Sequence, residues 1–170
     1  AIGESLENNG IIVKYIGSKF GVEKKLFNKL KLNYCLLNIK GIQRHISIRS
    51  LITNITFPFL FILSYIHSIK LILKYKPLII IGTGGYCSGL PLLAGITLNI
   101  PTLIQDQNSV PGLITRKLNN KVNKICLSYK ISNKYLNNFN CIITGNPIRK
   151  TIKHLDKKEA IKFFNFNINK

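Results

Sequence analysis

Four short apolar runs, at 78–81, 102–105, 124–127 and 141–144, each pass directly into glycine or polar residues. The first three then lead into stretches with helical apolar spacing, at 88–96, 112–118 and 131–136. Strands that alternate with helices predict an α/β fold: a parallel sheet with helices on both faces. Crossover connections carry the C-terminal ends of all such strands to one edge, which is where ligands bind in open α/β sheets. The polar clusters at 82–89, 105–112 and 145–149 all follow strands, so they should meet along one rim. The first part of the chain fits the same scheme. A helical stretch at 1–8 stops at Asn9 and Gly10, and a buried strand is expected at 11–16, ended by Gly17. Positions 22, 26, 27 and 30 form one helical apolar face. A second strand is expected at 32–39, a polar loop at 41–49, and a charged helix at 156–164.

With 170 residues, 46% of them hydrophobic, the chain is long enough for one ordinary domain with a real core. Cys35, Cys87, Cys126 and Cys141 form no CxxC pair, so no zinc site, redox motif or disulfide scaffold is indicated. Twenty-five Lys and Arg against six acids give a formal net charge of +19. That charge would suit nucleic acid or an anionic membrane surface. A composition crowded with Ile, Lys and Asn also has a blander origin in AT-rich coding. No basic run and no aromatic–basic alternation marks a nucleic-acid interface, so no nucleic-acid partner is expected. The sequence has no Met and starts abruptly in helical spacing, which reads as an N-terminally incomplete fragment; no signal peptide is visible at its start.

Each rim cluster has two readings. The glycines at 82–89 let backbone N–H groups approach an anion at a helix N-terminus, or simply make a tight β–α turn. Asn108 offers an amide donor and acceptor suited to sugar hydroxyls, or an Asx turn before Pro111 and Gly112. Arg149 could clamp a phosphate or carboxylate, or be a solvated surface arginine. Asp106 could be a base, or an ordinary turn residue. His45, His67 and His154 stand near no nucleophile in sequence, and none is expected to be catalytic. The apolar stretch inside 51–73 begins at Pro58 and takes in Lys70 before it reaches spanning length, so a transmembrane span is not favoured. Arg44 and Arg49 precede it, and Lys70, Lys74 and Lys76 follow. A basic rim around an apolar patch fits a helix resting on an anionic leaflet; a buried core helix is the other reading.

Taken in order, Ile81-Gly82-Thr83-Gly84-Gly85-Tyr86-Cys87-Ser88-Gly89, Ile100-Pro101, Gln105-Asp106-Gln107-Asn108 and Gly145-Asn146-Pro147-Ile148-Arg149 resemble the MurG family. These are the UDP-N-acetylglucosamine:undecaprenyl-diphospho-muramoylpentapeptide transferases of bacterial peptidoglycan synthesis. The resemblance covers most of the chain and implies a Rossmann-like parallel sheet, the N-terminal half of a two-domain GT-B glycosyltransferase. Residues 1–155 would be the acceptor- and membrane-side domain, lacking its first strand and Gly-rich loop. Residues 156–170 would begin the connection to a donor-binding domain. The implied reaction is an inverting transfer of GlcNAc from UDP-GlcNAc to the lipid-linked muramoylpentapeptide, with no metal and no cofactor. It would occur peripherally, on the cytoplasmic face of the bacterial inner membrane. The family's proposed catalytic histidine would lie before Ala1, so the 170 residues alone should be inactive. Asn108 matches the asparagine that contacts the donor sugar, and Arg149 the arginine that reaches the donor diphosphate. Gly84, Gly85, Tyr86 and Ser88 match a loop near the acceptor diphosphate, and Gln107 completes the substrate-binding set. Phe59, Ile62 and Tyr65 fall where the family has its membrane patch. Gln105 and Asp106 depart from the family's usual His-Glu pair. The alternatives are a related GT-B transferase with another lipid acceptor, and a non-catalytic membrane-docking half-subunit or gene remnant.

Overall fold

The computed structural model of the chain describes residues 1–41, 48–136, 140–149, 152 and 156–165, with 48–54 as backbone only. Residues 12–146 form one compact unit, and 1–11 together with 147–170 form another. Among the described residues, the larger unit holds six strands in two hydrogen-bonded ladders, all parallel. Strands β1 (Tyr15–Ser18) and β2 (Tyr34–Leu37) make one ladder. Strands β3 (Ile80–Gly82), β4 (Thr102–Asp106), β5 (Lys124–Leu127) and β6 (Cys141–Ile143) make the other, in sequence order. Between strands run α2 (Glu23–Lys29), α3 (Ile48–Tyr75), α4 (Gly85–Thr97), α5 (Leu113–Leu118) and a 3-10 turn at Lys130–Tyr135. The smaller unit contains α1 (Ile2–Glu7) and α6 (Lys157–Phe163).

Helix α4 joins the packing of the two ladders. Its Leu92 is buried with Ile104, Ile125 and Leu127 of the four-stranded ladder. Its Cys87 and Leu90 are buried with Leu37, Ile39 and Leu71, against β2 and α3. Apolar residues on most of its circumference are what a helix needs when it is covered on more than one side.

The first strand lies later than the 11–16 run predicts. Ile11 and Ile12 are exposed, and pairing starts at Tyr15. Gly17 lies inside this strand and does not stop it: a Cβ there would come within 2.8 Å of the Phe27 ring. Helix α2 can therefore rest directly on β1. Phe27 alone of the expected face is buried, flanked by the rings of Tyr15 and Tyr34, while Val22, Leu26 and Leu30 are exposed. Likewise β3 starts at Ile80, whose N–H donates to the Pro101 carbonyl; Leu78, before the partner strand begins, is exposed.

Helix α3 begins at Ile48, inside the expected 41–49 loop, and runs through Pro58 to Tyr75. Residues 42–47, with Arg44 and His45, lie outside the described residues, as does the side chain of Arg49. One face turns to the core. Ser64, Ser68, Leu71 and Ile72 are buried, and the Ser68 hydroxyl donates to the Ser64 carbonyl. Phe57, Phe61 and Tyr65 pack on the same cluster. The opposite face leaves Ile55, Phe59, Ile62, Leu63, Ile66 and Leu73 exposed. Among the described residues this is one helix, at Ile55–Tyr75, long and apolar enough to cross a membrane by length and composition, with mean hydropathy 1.7.

Candidate functional site

Because β3 to β6 are parallel, the segments that follow them leave from one edge of the ladder. The first is the β3–α4 turn. Gly84 has φ 89° and ψ 179°, and Gly85 has φ 76°. A Cβ at either position would meet nothing within 4 Å, so the backbone conformation calls for glycine here, not crowding. The turn lets α4 start at Gly85, ahead of the expected 88, and among the described residues no side chain caps its N-terminus. The first-turn N–H groups are thus left for water or an anion. Ser88 bonds back to the Gly85 carbonyl at 2.9 Å. The Tyr86 hydroxyl reaches the Ser18 hydroxyl at the end of β1, at 3.4 Å, and its ring lies close over Gly41. Ser18 is fully buried and donates to the Ile39 carbonyl at 2.6 Å. Tyr86 therefore links the edges of both ladders while 40% of it remains exposed.

The second segment, 106–112, is built around Asp106, which is 2% exposed. Its Oδ1 accepts from the Asn108 N–H and the Asn108 side-chain amide, both at 3.0 Å. Its Oδ2 accepts from the Gly112 N–H at 2.9 Å and the Thr115 hydroxyl at 2.6 Å. Its carbonyl accepts from both the N–H and the hydroxyl of Ser128, each at 3.1 Å. Burial pushes the Asp106 carboxyl up. The bonds from Thr115, from the Asn108 and Gly112 N–H groups and from the Asn108 amide together outweigh that and hold it below the ordinary carboxylate range. A buried carboxylate with both oxygens engaged is a turn-forming group, the second of the two readings for this residue. Gln105 is also buried and donates to Ser128 at 3.3 Å. Gln107 and Asn108 face solvent at the loop's outer side.

Two of the expected groupings thus share one edge: Gly84, Gly85, Tyr86 and Ser88 after β3, and Gln107 and Asn108 after β4. Arg149 is exposed and belongs to the smaller unit, with Pro147 and Ile148, whereas Gly145 and Asn146 end the larger one. On α3, Phe59 and Ile62 lie on the exposed face. Tyr65 turns the other way, packing on the core with its hydroxyl 2.8 Å from that of Thr97. His67 is exposed on α3, and His154 lies outside the described residues. Sequence reading missed Ser18, Thr115, Ser128 and Ser132. Small hydroxyl residues carry no local signal when their partners lie many positions away.

The glycosyltransferase family 28 N-terminal domain matches residues 1–127. The chain belongs to this family. Similar proteins include two named UDP-N-acetylglucosamine--N-acetylmuramyl-(pentapeptide) pyrophosphoryl-undecaprenol N-acetylglucosamine transferase. That of Flavobacterium psychrophilum is 35% identical over 93% of this chain and 42% of its own length. That of Christiangramia forsetii is 40% identical over 78% of this chain and 36% of its own. The chain thus spans about two fifths of the length of these curated relatives. The crystal structure of Acinetobacter baumannii MurG superposes with a TM-score of 0.67 at 22% identity, over 91% of this chain and 42% of that one. This likeness shows the Rossmann-like fold.

Proposed function

We propose that this chain is the acceptor- and membrane-side domain of an inverting glycosyltransferase. The enzyme would move GlcNAc from UDP-GlcNAc to an undecaprenyl-diphosphate-linked muramoylpentapeptide. The observation that carries the reading is the family 28 match together with relatives named for this transfer. The geometry of the rim supports it. The open N-terminus of α4, with Gly84 and Gly85, offers backbone N–H groups to the acceptor diphosphate. Tyr86 and Ser88 shape that turn. Asn108, held by Asp106, presents its free amide positions to the donor sugar, with Gln107 beside it. Arg149 serves the donor diphosphate.

In this reaction the acceptor's C4 hydroxyl attacks the anomeric carbon and UDP leaves. A base takes the hydroxyl proton, and cationic or N–H groups stabilise the leaving diphosphate. Asp106 is too well bonded for the base, which we assign to the part of the relatives' length that this chain does not cover. Residues 1–155 act as the domain and 156–170 as the start of its connection to a donor-binding partner domain. Phe59 and Ile62 rest on the anionic cytoplasmic leaflet, where the lipid-linked acceptor is found, and Lys70 and Lys74 supply charge attraction.

The test is transfer of labelled GlcNAc to a lipid-linked muramoylpentapeptide by the reading frame that carries this sequence. Asn108→Ala and Arg149→Ala should each lower kcat/KM at least tenfold. No transfer, or transfer unaffected by both substitutions, would refute the assignment.

A further inference from the structure

The 107–111 loop has an internal frame that reaches well beyond its own residues. Thr115, on α5, is 1% exposed and donates to Asp106. Ser132, in the 3-10 turn after β5, is fully buried. Its single hydroxyl lies 2.9 Å from the Asn108 carbonyl and 3.1 Å from the Ser109 carbonyl. Asn108 is therefore gripped three ways. Its N–H and side-chain amide are held by one carboxylate oxygen, and its carbonyl is held by Ser132. Pro111, fully buried, and the Gly112 N–H bond to Asp106 pin the far end. Among the described residues, only the outer side of the Asn108 amide is left without a protein partner. Loops seldom hold an exposed polar group this firmly unless its orientation matters, because ordering it costs conformational entropy.

We infer that Asp106, Thr115 and Ser132 are positioning residues: they fix the loop so that the Asn108 amide meets the hydroxyls of a bound sugar in one orientation. This deepens the proposed transferase reading and rests on it. The carboxylate does its work by staying charged and saturated, and the two hydroxyls work through Asn108 without touching the sugar. A preset amide makes its bonds with no reorganisation at the moment of reaction.

Two arms test the inference. In the 170-residue chain, the side-chain amide of Asn108 is followed by 1H–15N NMR in the parent and in Thr115→Val, Thr115→Ser and Ser132→Ala. The parent should show one amide proton shifted downfield and exchanging slowly with water. Thr115→Val and Ser132→Ala should each speed that exchange at least tenfold, and Thr115→Ser should restore the parent value. An Asn108 amide unchanged in both would overturn the clamp. In the transferring reading frame, kcat/KM for UDP-GlcNAc should fall about tenfold in Thr115→Val and Ser132→Ala and within twofold of the parent in Thr115→Ser. The KM for the lipid acceptor should stay put. Unchanged kcat/KM in both variants, with Asn108→Ala impaired, would overturn the positioning role. A reading frame that transfers no sugar refutes the transferase reading instead, and the NMR arm then decides the clamp by itself. Two variants guard against one that fails to fold.

Discussion

Replacing Phe59 and Ile62 together with serine should release the chain from anionic vesicles. The two side chains are 65% and 56% exposed, on the face of α3 that turns away from the core. Full burial of a side chain of this size contributes about 1.5–3 kcal/mol. Scaled by the exposed fractions, moving both from water into an acyl boundary is worth about 2–3.5 kcal/mol. At about 1.4 kcal/mol per decade, that corresponds to a partition coefficient about 30- to 300-fold lower. The assay is co-sedimentation with vesicles containing about a third anionic lipid, at two salt concentrations. Higher salt should weaken parent and variant alike, because the exposed Lys70 and Lys74 attract the surface in both. Both substitutions are at exposed sites, so the fold should be retained and circular dichroism should confirm it. Partition within threefold of the parent, with the helix intact, would refute the docking face. Tyr65 makes the contrast. Since it packs inward and bonds Thr97, Tyr65→Ser should lower stability through the core and leave vesicle partition of the folded fraction nearly unchanged.

Asp106→Asn should destabilise the fold at pH 7. The folded carboxyl lies below its ordinary value, so its contribution is complete above the ordinary carboxylate range and is lost as pH falls through the depressed value. Urea denaturation at pH 7 and pH 3 should show the gap between parent and variant closing at acid pH; a constant gap would exclude a charge effect. Gly84→Ala should cost about 1–3 kcal/mol although the added methyl meets no atom, because φ 89° with ψ 179° is a region almost confined to glycine; the shift of the urea midpoint measures it. Cys87 should resist alkylation. Burial, with a smaller push from the charge of Glu23, raises its thiol to about 12. At pH 8 the thiolate is then on the order of a thousandfold scarcer than for an ordinary cysteine. Mass mapping after iodoacetamide should find Cys87 modified only once the chain unfolds.

What was readable in the sequence is what depends on neighbours along the chain. Lys124–Leu127 is the strand that its apolar run indicates, and α5 follows Gly112 as its spacing indicates. The glycine turn and the Asp106–Asn108 segment follow successive strands, and a parallel ladder puts both on one edge. What was not readable depends on packing. Ile11, Ile12 and Leu78 look like strand residues by composition, but a strand begins only where a partner is in register, and each lies before that point. Gly17 reads as a stop, yet the ring of Phe27 occupies the place of its missing side chain. The face of α3 that meets the core was equally hidden. A helix apolar on all sides does not disclose its partnered side: the resemblance groups Tyr65 with Phe59 and Ile62, yet Tyr65 packs on the core.

The same division separates the two parts of the rim. The β3–α4 turn is made by its own residues, because positive φ at Gly84 and Gly85 is a local demand that glycine answers locally. The Asn108 loop is not self-sufficient: its carbonyls are held from Ser132 and its central carboxylate from Thr115, on two separate elements. Substitutions in the turn should therefore act locally and leave the Asn108 loop in place. Changes on α5 or in the 3-10 turn should reach Asn108 without touching any residue of the 105–108 segment. A rim built in this way sets a turn made by its own glycines beside an amide held from two other elements.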